Sequence, residues 1–162
     1  MPIAYAADDA YDSRMVKPIP DGYHTVTPYL IVRDAARAIE FYKEVFGAVE
    51  EMRMQDGGRI GHAEIRIGNS PLMLADEHPE MGYLGPQGRS PVTLMIYTED
   101  TDAMFARAVA AGATVEREPA TQFYGDRNAG VVDPFGHRWY FSTHVEDVSE
   151  EEMQRRMEAM KR

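Results

Sequence analysis

The feature that most constrains the fold is a pattern that occurs twice in the sequence, the second copy about 65 residues after the first. In each copy an aspartate (Asp34, Asp100) precedes a segment with apolar residues at helical spacing, and a glycine (Gly47, Gly112) follows it. Aspartate is a favoured N-cap, and glycine readily adopts the left-handed conformation that ends a helix. Each copy reads strand, helix and three strands. The sequence therefore predicts an α+β fold of two paired βαβββ modules with a sheet-walled cleft between them.

The repeat divides the chain into five parts. We expect an N-terminal arm that lies on the surface or moves, two modules joined by a Gly- and Pro-rich linker, and a C-terminal helix. In that helix Ser149 and Glu152 have the spacing of a capping box. The predicted boundaries are 1–22 for the arm, 23–76 for module one, 77–90 for the linker, 91–144 for module two and 145–162 for the helix.

The composition excludes several classes of partner. The chain carries 27 acidic and 17 basic side chains, a net charge of −10 that repels nucleic acid and acidic membrane surfaces. It has no cysteine, so disulfides, thiolate catalysis and cysteine-bound zinc are excluded. No apolar run approaches the roughly 18 residues of a membrane span, and the first residues lack the features of a secretory signal. We therefore expect a cytoplasmic protein.

Strand alternation separates two faces on each predicted sheet. The aliphatic face suits the side covered by helices, and the opposite face, toward the cleft, carries tyrosine, threonine and methionine. The helix-side residues are Leu30, Val32, Leu72, Leu74, Val92, Leu94, Ile96, Trp139, Phe141 and Thr143. The cleft-side residues are Thr27, Tyr29, Met73, Ala75, Thr93, Met95, Tyr97, Arg138, Tyr140 and Ser142.

The run VVDPFGHRWYFSTH contains two histidines and raises the question of a metal site. Its DPFG segment has the residues of a type I turn, with Asp133 first, Pro134 second and Gly136 closing. His137 lies beside this turn and His144 lies at the end of the next strand. We therefore expect both histidines to be solvated or structural.

A second histidine stands in GHAEIRIG, where His62 and Glu64 share the polar face of a strand with Arg66. A histidine and a carboxylate two residues apart can bind a metal or act as acid and base, which makes them the catalytic candidates. The alternative is that they bond each other or Arg66 on a partly wet sheet face.

The segment QFYGDR is predicted to be a loop that presents Phe123, Tyr124 and Arg127. An aromatic shelf with an arginine suits a flat or anionic ligand, and loops at the mouth of a cleft often carry function. The alternative is that Arg127 is bonded to Asp126 and that Phe123 packs inward.

These motifs resemble the vicinal oxygen chelate superfamily, which includes glyoxalase I, extradiol dioxygenases, fosfomycin-resistance enzymes and bleomycin-binding proteins. The phrases TPYLIVRD, GHAEIRIG, LMLAD, FYGDR and DPFGHRW are similar to its PhnB-like branch, and the resemblance covers residues 23–144. It implies that the modules form a curled mixed sheet around the cleft and that the chain assembles as a homodimer.

The resemblance also implies where a metal would be held, because enzymes of this superfamily place a His or Glu ligand on each of four strands. Counting back from the two helix caps gives Thr27 and Thr93. Counting on from DPFG gives Tyr140, whose counterpart in module one is Met73. Divalent metals in such sites prefer carboxylates and imidazoles, so we expect no metal and no other cofactor at these positions.

Three functions remain open. The first is a non-catalytic protein that binds a small hydrophobic or aromatic molecule in the cleft. The second is a metal-dependent lyase or dioxygenase with displaced ligands, drawn from His24, His62 and Glu64. The third is a metal-free enzyme that uses Glu64 or His62 as a base. For the first, the expected contacts are Thr27, Tyr29, Met73, Thr93, Met95, Tyr97, Phe123, Tyr124, Arg127 and Tyr140.

Overall fold

Two sheets with the same strand order form the body of the molecule, described by a computed structural model over residues 16–161. Module one contains β1 (Tyr29–Val32), α1 (Ala35–Phe46), β2 (Val49–Asp56), β3 (Arg59–Ile67) and β4 (Ser70–Asp76). Module two contains β5 (Thr93–Tyr97), α2 (Thr101–Ala110), β6 (Thr114–Thr121), β7 (Asp126–Val132) and β8 (Arg138–His144), and α3 (Glu150–Met160) follows it. The predicted pair of βαβββ modules is confirmed.

Each sheet is mixed and open. Sheet one has the order β1-β4-β3-β2 and sheet two the order β5-β8-β7-β6. The pairs β1–β4 and β5–β8 are parallel, and the remaining neighbours are antiparallel. The repeated order gives each strand of sheet one a counterpart in sheet two. Among residues 16–161, no helix has the length and hydropathy needed to span a bilayer.

The helix ends follow the sequence signals. The Asp34 side chain accepts a hydrogen bond from the Arg37 N–H at 3.1 Å, and Gly47 ends α1 with a φ of 67°. Asp100 caps α2 in the same way through the Ala103 N–H at 2.9 Å. Ser149 likewise accepts from the Glu152 N–H at 3.2 Å. The second hydrogen bond of the predicted capping box, from the Ser149 N–H to the Glu152 carboxylate, is wrong. Two arginines of α3 bind the Glu152 carboxylate instead.

One hydrophobic core serves both modules. The rings of Tyr42 and Phe46 on α1 lie 5.3 and 4.6 Å from the ring of Trp139 on β8. The helix-side residues Leu30, Val32, Leu72, Leu74, Trp139 and Phe141 are all buried, as predicted. Val92 is an exception, because it precedes β5 and is 62% exposed. Each sheet therefore turns its helix-covered face toward this core, and its other face, here called the open face, points away from it.

The carboxylate of Asp133 joins the two modules inside the core. It is almost fully buried and accepts hydrogen bonds from the Tyr42 hydroxyl at 2.6 Å and the Trp139 indole N–H at 2.8 Å. It also accepts from the backbone N–H groups of Phe135 and His137, both at 2.9 Å. Burial and the neighbouring carboxylate raise the pKa of the Tyr42 phenol well above its usual value. Four donors thus compensate a charge that burial alone would make very costly.

The predicted DPFG turn is present, closed by the Gly136 N–H donating to the Asp133 carbonyl at 3.1 Å. His137 is partly buried, and its Nε2 donates to the Ile31 carbonyl of β1 at 2.9 Å. His137 was predicted to be either solvated or structural, and this hydrogen bond gives it a structural role.

Removing the Tyr42 hydroxyl tests this junction. We expect Tyr42→Phe to lower the free energy of unfolding by roughly 1–3 kcal/mol, because one acceptor position of a buried carboxylate loses its donor. Urea denaturation followed by circular dichroism measures the change. The matched control is Tyr83→Phe, since the Tyr83 side chain is half exposed and should change stability by less than about 0.5 kcal/mol. Equal effects of the two variants would contradict the proposed role of the Tyr42–Asp133 bond.

Candidate functional site

The open face of sheet one carries a row of three predicted site residues. Tyr29 on β1 pairs with Met73 on β4, and Met73 lies opposite Glu64 on β3. Tyr29 is 48% exposed, while Met73 and Glu64 are partly buried. Thr27 precedes β1 and donates its hydroxyl to the His24 carbonyl at 3.1 Å. The strand register therefore brings Tyr29, Met73 and Glu64 together as the alternation predicted.

His62 and Glu64 belong to a hydrogen-bonded chain of four side chains. His62 Nε2 lies 3.1 Å from Glu64 Oε1, and His62 Nδ1 lies 2.9 Å from the Tyr29 hydroxyl. Because the ionised carboxylate only accepts, Nε2 of a neutral His62 donates to it and Nδ1 accepts from Tyr29. Tyr23 donates its hydroxyl to the other oxygen of Glu64. The chain thus runs from Tyr29 through His62 to Glu64 and is closed by Tyr23.

Hydrogen bonds in this chain shift the pKa values of Glu64 and Tyr23. The bond from Tyr23, followed by that from His62, lowers the pKa of Glu64 below its usual value. The same bond, with desolvation, raises the pKa of Tyr23 to about 12. Arg66 does not take part in this hydrogen-bonded chain, since its guanidinium binds Glu51 at 2.7 and 3.0 Å. His62 and Glu64 are bonded to each other, as the predicted structural alternative had it. Tyr23 and Tyr29 extend this bond into the chain of four.

On the open face of sheet two, Met95 pairs with Tyr140 and Tyr97 pairs with Ser142. Met95 and Tyr97 are 51% and 69% exposed. The ring of Tyr140 lies against Gly130, where an added Cβ would approach it to 2.5 Å, so the glycine leaves the space that the ring occupies. Thr93, two residues before Met95 in β5, pairs with Arg138.

Two arginines flank the Tyr140 ring. The guanidinium carbons of Arg117 and Arg138 lie 5.4 and 5.9 Å from the ring centre. Arg138 is also bound by Glu116 at 2.9 Å. Tyr140 is therefore held against the surface of sheet two, and the exposed side chains of Met95 and Tyr97 project from that surface.

The segment QFYGDR is a shorter loop than predicted, because Asp126 and Arg127 belong to β7. Arg127 binds Asp102 of α2 at 2.6 and 2.8 Å, so the predicted alternative of a bond to Asp126 is wrong. Since Asp102 lies on a helix that covers sheet two, the guanidinium of Arg127 is on the helix side and does not join the open face. Phe123 and Tyr124 remain in the turn, with their rings edge to face at 5.3 Å.

Sequence reasoning missed a polar cluster beside this turn. The buried carboxylate of Asp126 accepts from Ser142 Oγ at 3.0 Å and from His144 Nδ1 at 2.8 Å. His144 Nε2 in turn donates to Asp147 at 2.7 Å. Both carboxylates, Asp147 first, raise the pKa of His144. His144 is exposed and ties the chain after β8 to the sheet, which agrees with its predicted structural or solvated role.

A cavity of about 540 Å³ lies between the modules and is here called the inter-module cavity. Its walls are mainly apolar and come from Phe46, Leu72, Leu94, Ile96, Met104 and Trp139. Met95 and Tyr97 of sheet two also line it. Module one contributes His24, Val26, Pro28 and residues 67–70. From the sequence pattern, most of these wall residues are predicted only to belong to the hydrophobic core. Their role in a cavity becomes visible only when both modules are in place.

The two open faces do not meet within one chain. In the described part of the molecule, no Cα atom of a sheet-one strand lies within 8 Å of a Cα atom of a sheet-two strand, and α1 packs against α2 between the sheets. Tyr29 and Met73 therefore lie on one open face, and Thr93, Met95, Tyr97 and Tyr140 lie on the other.

The strand register supports the counterparts chosen for the four metal positions. Met73 pairs with Tyr29 and Tyr140 pairs with Met95, and both partners stand five residues before a helix cap. Met73 and Tyr140 are thus equivalent, as are Thr27 and Thr93. Two hydroxyls, a thioether and a phenol do not fit the divalent cation that the resemblance implies at these positions. Over residues 16–161 there is also no cluster of three or more His, Asp or Glu side chains suited to a metal ion.

The bond between Tyr23 and Glu64 generates a testable pH dependence. The pKa of Glu64 is lower in the folded state than in the unfolded state. At a pH above the unfolded-state pKa, the ionised carboxylate therefore stabilises the fold. This stabilisation is lost as the pH falls through the folded-state pKa. We expect Tyr23→Phe to raise the pKa of Glu64 toward its usual value, as followed by the ¹³C shift of its carboxyl carbon. Tyr29→Phe is the control, because Tyr29 reaches Glu64 only through His62. A Glu64 titration unchanged in Tyr23→Phe would refute the assignment.

Comparison with known proteins agrees with this architecture. The profile of the Glyoxalase/Bleomycin resistance protein/Dioxygenase superfamily matches residues 23–141. An uncharacterized protein of Mycobacterium tuberculosis is 41% identical over 138 residues, which cover 82% of this chain and 81% of that protein.

Two solved structures are also similar. TioX from Micromonospora sp. ML1 has 27% identity and a TM-score of 0.61, covering 74% of this chain and 98% of its own. The product of an Arabidopsis thaliana gene has 28% identity and a TM-score of 0.62, covering 76% of this chain and 99% of its own. Because the profile matches residues 23–141 and the two modules repeat, the chain belongs to the glyoxalase/bleomycin resistance protein/dioxygenase superfamily.

Proposed function

We propose that this protein binds a small hydrophobic or aromatic molecule in the inter-module cavity and does so without a metal at the superfamily positions. The observation that carries the proposal is the cavity itself, about 540 Å³ with mainly apolar walls from both modules. That volume lies within the roughly 300–1,000 Å³ of typical small-molecule sites. Methionine and aromatic side chains around it suit an adaptable apolar ligand.

Few polar side chains line the cavity. They belong to His24, Asn69, Ser70, Tyr97 and Thr98. Among residues 16–161, no carboxylate, lysine or arginine lines it. A ligand would thus gain most of its affinity from apolar contact, and a few hydrogen bonds would fix its orientation.

The open faces support a homodimer as part of this proposal. Large apolar side chains project from both, namely Tyr29, Met52 and Met54 on sheet one and Met95 and Tyr97 on sheet two, with exposed fractions from 38% to 69%. Exposed apolar patches of this kind mark interaction surfaces. We propose that sheet one of one copy faces sheet two of the other, which would bring Thr27, Tyr29 and Met73 toward Thr93, Met95 and Tyr140. Phe123 and Tyr124 would lie at the rim, and Arg127 would remain bound to Asp102.

A metal-free enzyme is the second candidate, and the chain Tyr29–His62–Glu64–Tyr23 is the observation that favours it. The side chains of His62 and Glu64 are 25% and 22% exposed, so a substrate on the open face could reach them. Glu64 would hold His62 in one tautomer, and His62 would act as the base through Nδ1 once Tyr29 moves aside.

The cytoplasm, a reducing compartment, suits a chain without cysteine under either function.

Trp139, the single tryptophan, lines the inter-module cavity and reports on its occupancy. We expect N-phenyl-1-naphthylamine, a neutral planar probe, to bind there and to quench Trp139 emission by energy transfer. Met95→Ala and Tyr97→Ala should each weaken binding by about fivefold or more, the effect of losing about 1 kcal/mol of contact. Met160→Ala is the control, because Met160 is an exposed methionine on α3, outside the cavity. Saturating probe without any quenching would count against the proposal.

The dimer is tested separately by light scattering. We expect a mass of twice 18.3 kDa for the wild-type chain. Met54→Lys places a charge on the open face of sheet one and should yield monomers, because a charge buried in an apolar interface is costly. Val109→Lys is the control, since Val109 is comparably exposed on α2, away from the open faces. A monomeric wild-type chain at all concentrations would remove the dimer from the proposal.

A further inference from the structure

The inter-module cavity has a buried end and an end that is open to solvent. The side chains that line the buried end are those of Phe46, Leu72, Met104 and Trp139. At the other end, Val26 is 82% exposed, and Met95 and Tyr97 of sheet two are also exposed. This open end is here called the mouth. A molecule that enters the cavity therefore passes between Val26 and these two side chains of module two.

The side of the mouth that belongs to module one is a segment without regular secondary structure, residues 22–28, here called the strap. Its C-terminal end is fixed, because the Pro28 carbonyl accepts from the Met73 N–H of β4 at 2.9 Å. The strap lines the cavity with His24, Val26 and Pro28. Sheet one thus holds the strap firmly at the end that continues into β1.

The N-terminal end of the strap is held by two side chains of β3. Tyr23 donates its hydroxyl to Glu64, and Arg66 donates to the Gly22 carbonyl at 3.2 Å. Among the described residues, no other hydrogen bond joins residues 22–27 to a sheet. These two contacts are here called the latch, because they alone bond this end of the strap to sheet one.

Little burial adds to the latch. Within the strap, only Tyr23, Thr27 and Pro28 are partly buried, and the remaining residues are exposed. A segment with few buried apolar contacts and few backbone hydrogen bonds opens at a low cost in free energy. If the latch breaks, residues 22–27 are free to leave the mouth, while the bond between Pro28 and Met73 keeps the strap attached.

We propose that the strap is the gate of the inter-module cavity and that the latch holds it at the mouth. The proposal concerns the regulation of the site in the proposed function and rests on that function for the identity of the gated molecule. With the latch formed, His24 and Val26 narrow the mouth. With the latch broken, the strap moves away about Pro28 and the mouth widens.

Quenching of Trp139 fluorescence by acrylamide tests the gate without a ligand. Trp139 is the single tryptophan and lies at the buried end, so a small neutral quencher reaches it through the mouth. Tyr23→Phe and Arg66→Met each remove one contact of the latch, and we expect each to raise the bimolecular quenching constant about twofold or more. The control is Tyr83→Phe, the same change at a half-exposed tyrosine outside this cavity, which should leave quenching unchanged.

The rates of probe binding separate a gate from an ordinary contact surface. A gate alters the barrier to entry and to exit alike. In stopped-flow measurements, Tyr23→Phe should therefore raise both the association and the dissociation rate of N-phenyl-1-naphthylamine about threefold or more, as the loss of one hydrogen bond allows. The dissociation constant should stay within about twofold of the wild-type value. Loss of a contact surface would instead change mainly the dissociation rate.

The proposal is overturned if acrylamide quenching is the same in the wild-type chain and both latch variants, or if Tyr83→Phe raises it equally. It is also overturned if Tyr23→Phe changes only the dissociation rate of the probe. A wild-type chain that binds no probe, but whose quenching rises in both latch variants, would support the gate and count against the proposed function.

Discussion

The buried carboxylate of Asp133 is the interaction on which the arrangement of the modules depends. A full charge inside the core is tolerated only because donors surround it, and one of these, the Tyr42 hydroxyl, comes from the other module. The bond fixes α1 against β8 and so sets which faces of the sheets are covered. The faces that remain open carry the candidate site residues, so the position of the site follows from this contact in the core.

Much of the fold could be predicted because its signals are local. Asp34 and Asp100 cap helices through their own side chains, and the glycine after each helix tolerates a positive φ. The period of two along a strand placed Leu74 and Phe141 in the core and Met73 and Tyr140 on the opposite faces. These assignments need only neighbouring residues, which a single sequence displays.

The parts of the site that sequence reasoning missed depend on contacts between distant segments. Arg127 was predicted to face a ligand at the mouth of the cleft or, alternatively, to bond its neighbour Asp126. Strand alternation instead places Arg127 and Asp126 on opposite faces, and Arg127 binds Asp102 on α2. Tyr23 closes the Glu64 network across 41 positions of sequence. The inter-module cavity is lined by residues such as Leu94 and Ile96, whose pattern is that of an ordinary core. No local rule distinguishes a core residue from a cavity wall.

The central claim is that this member of the superfamily has lost the donor set for a divalent metal and retains apolar space for a small molecule. Metal analysis of protein purified without a histidine tag tests it most directly. The account predicts Ni, Zn, Mn and Fe far below one equivalent per chain, with no change in His62→Ala or Glu64→Ala. A content near one equivalent that disappears in either variant would contradict it and assign the Tyr29–His62–Glu64 face to a metal centre.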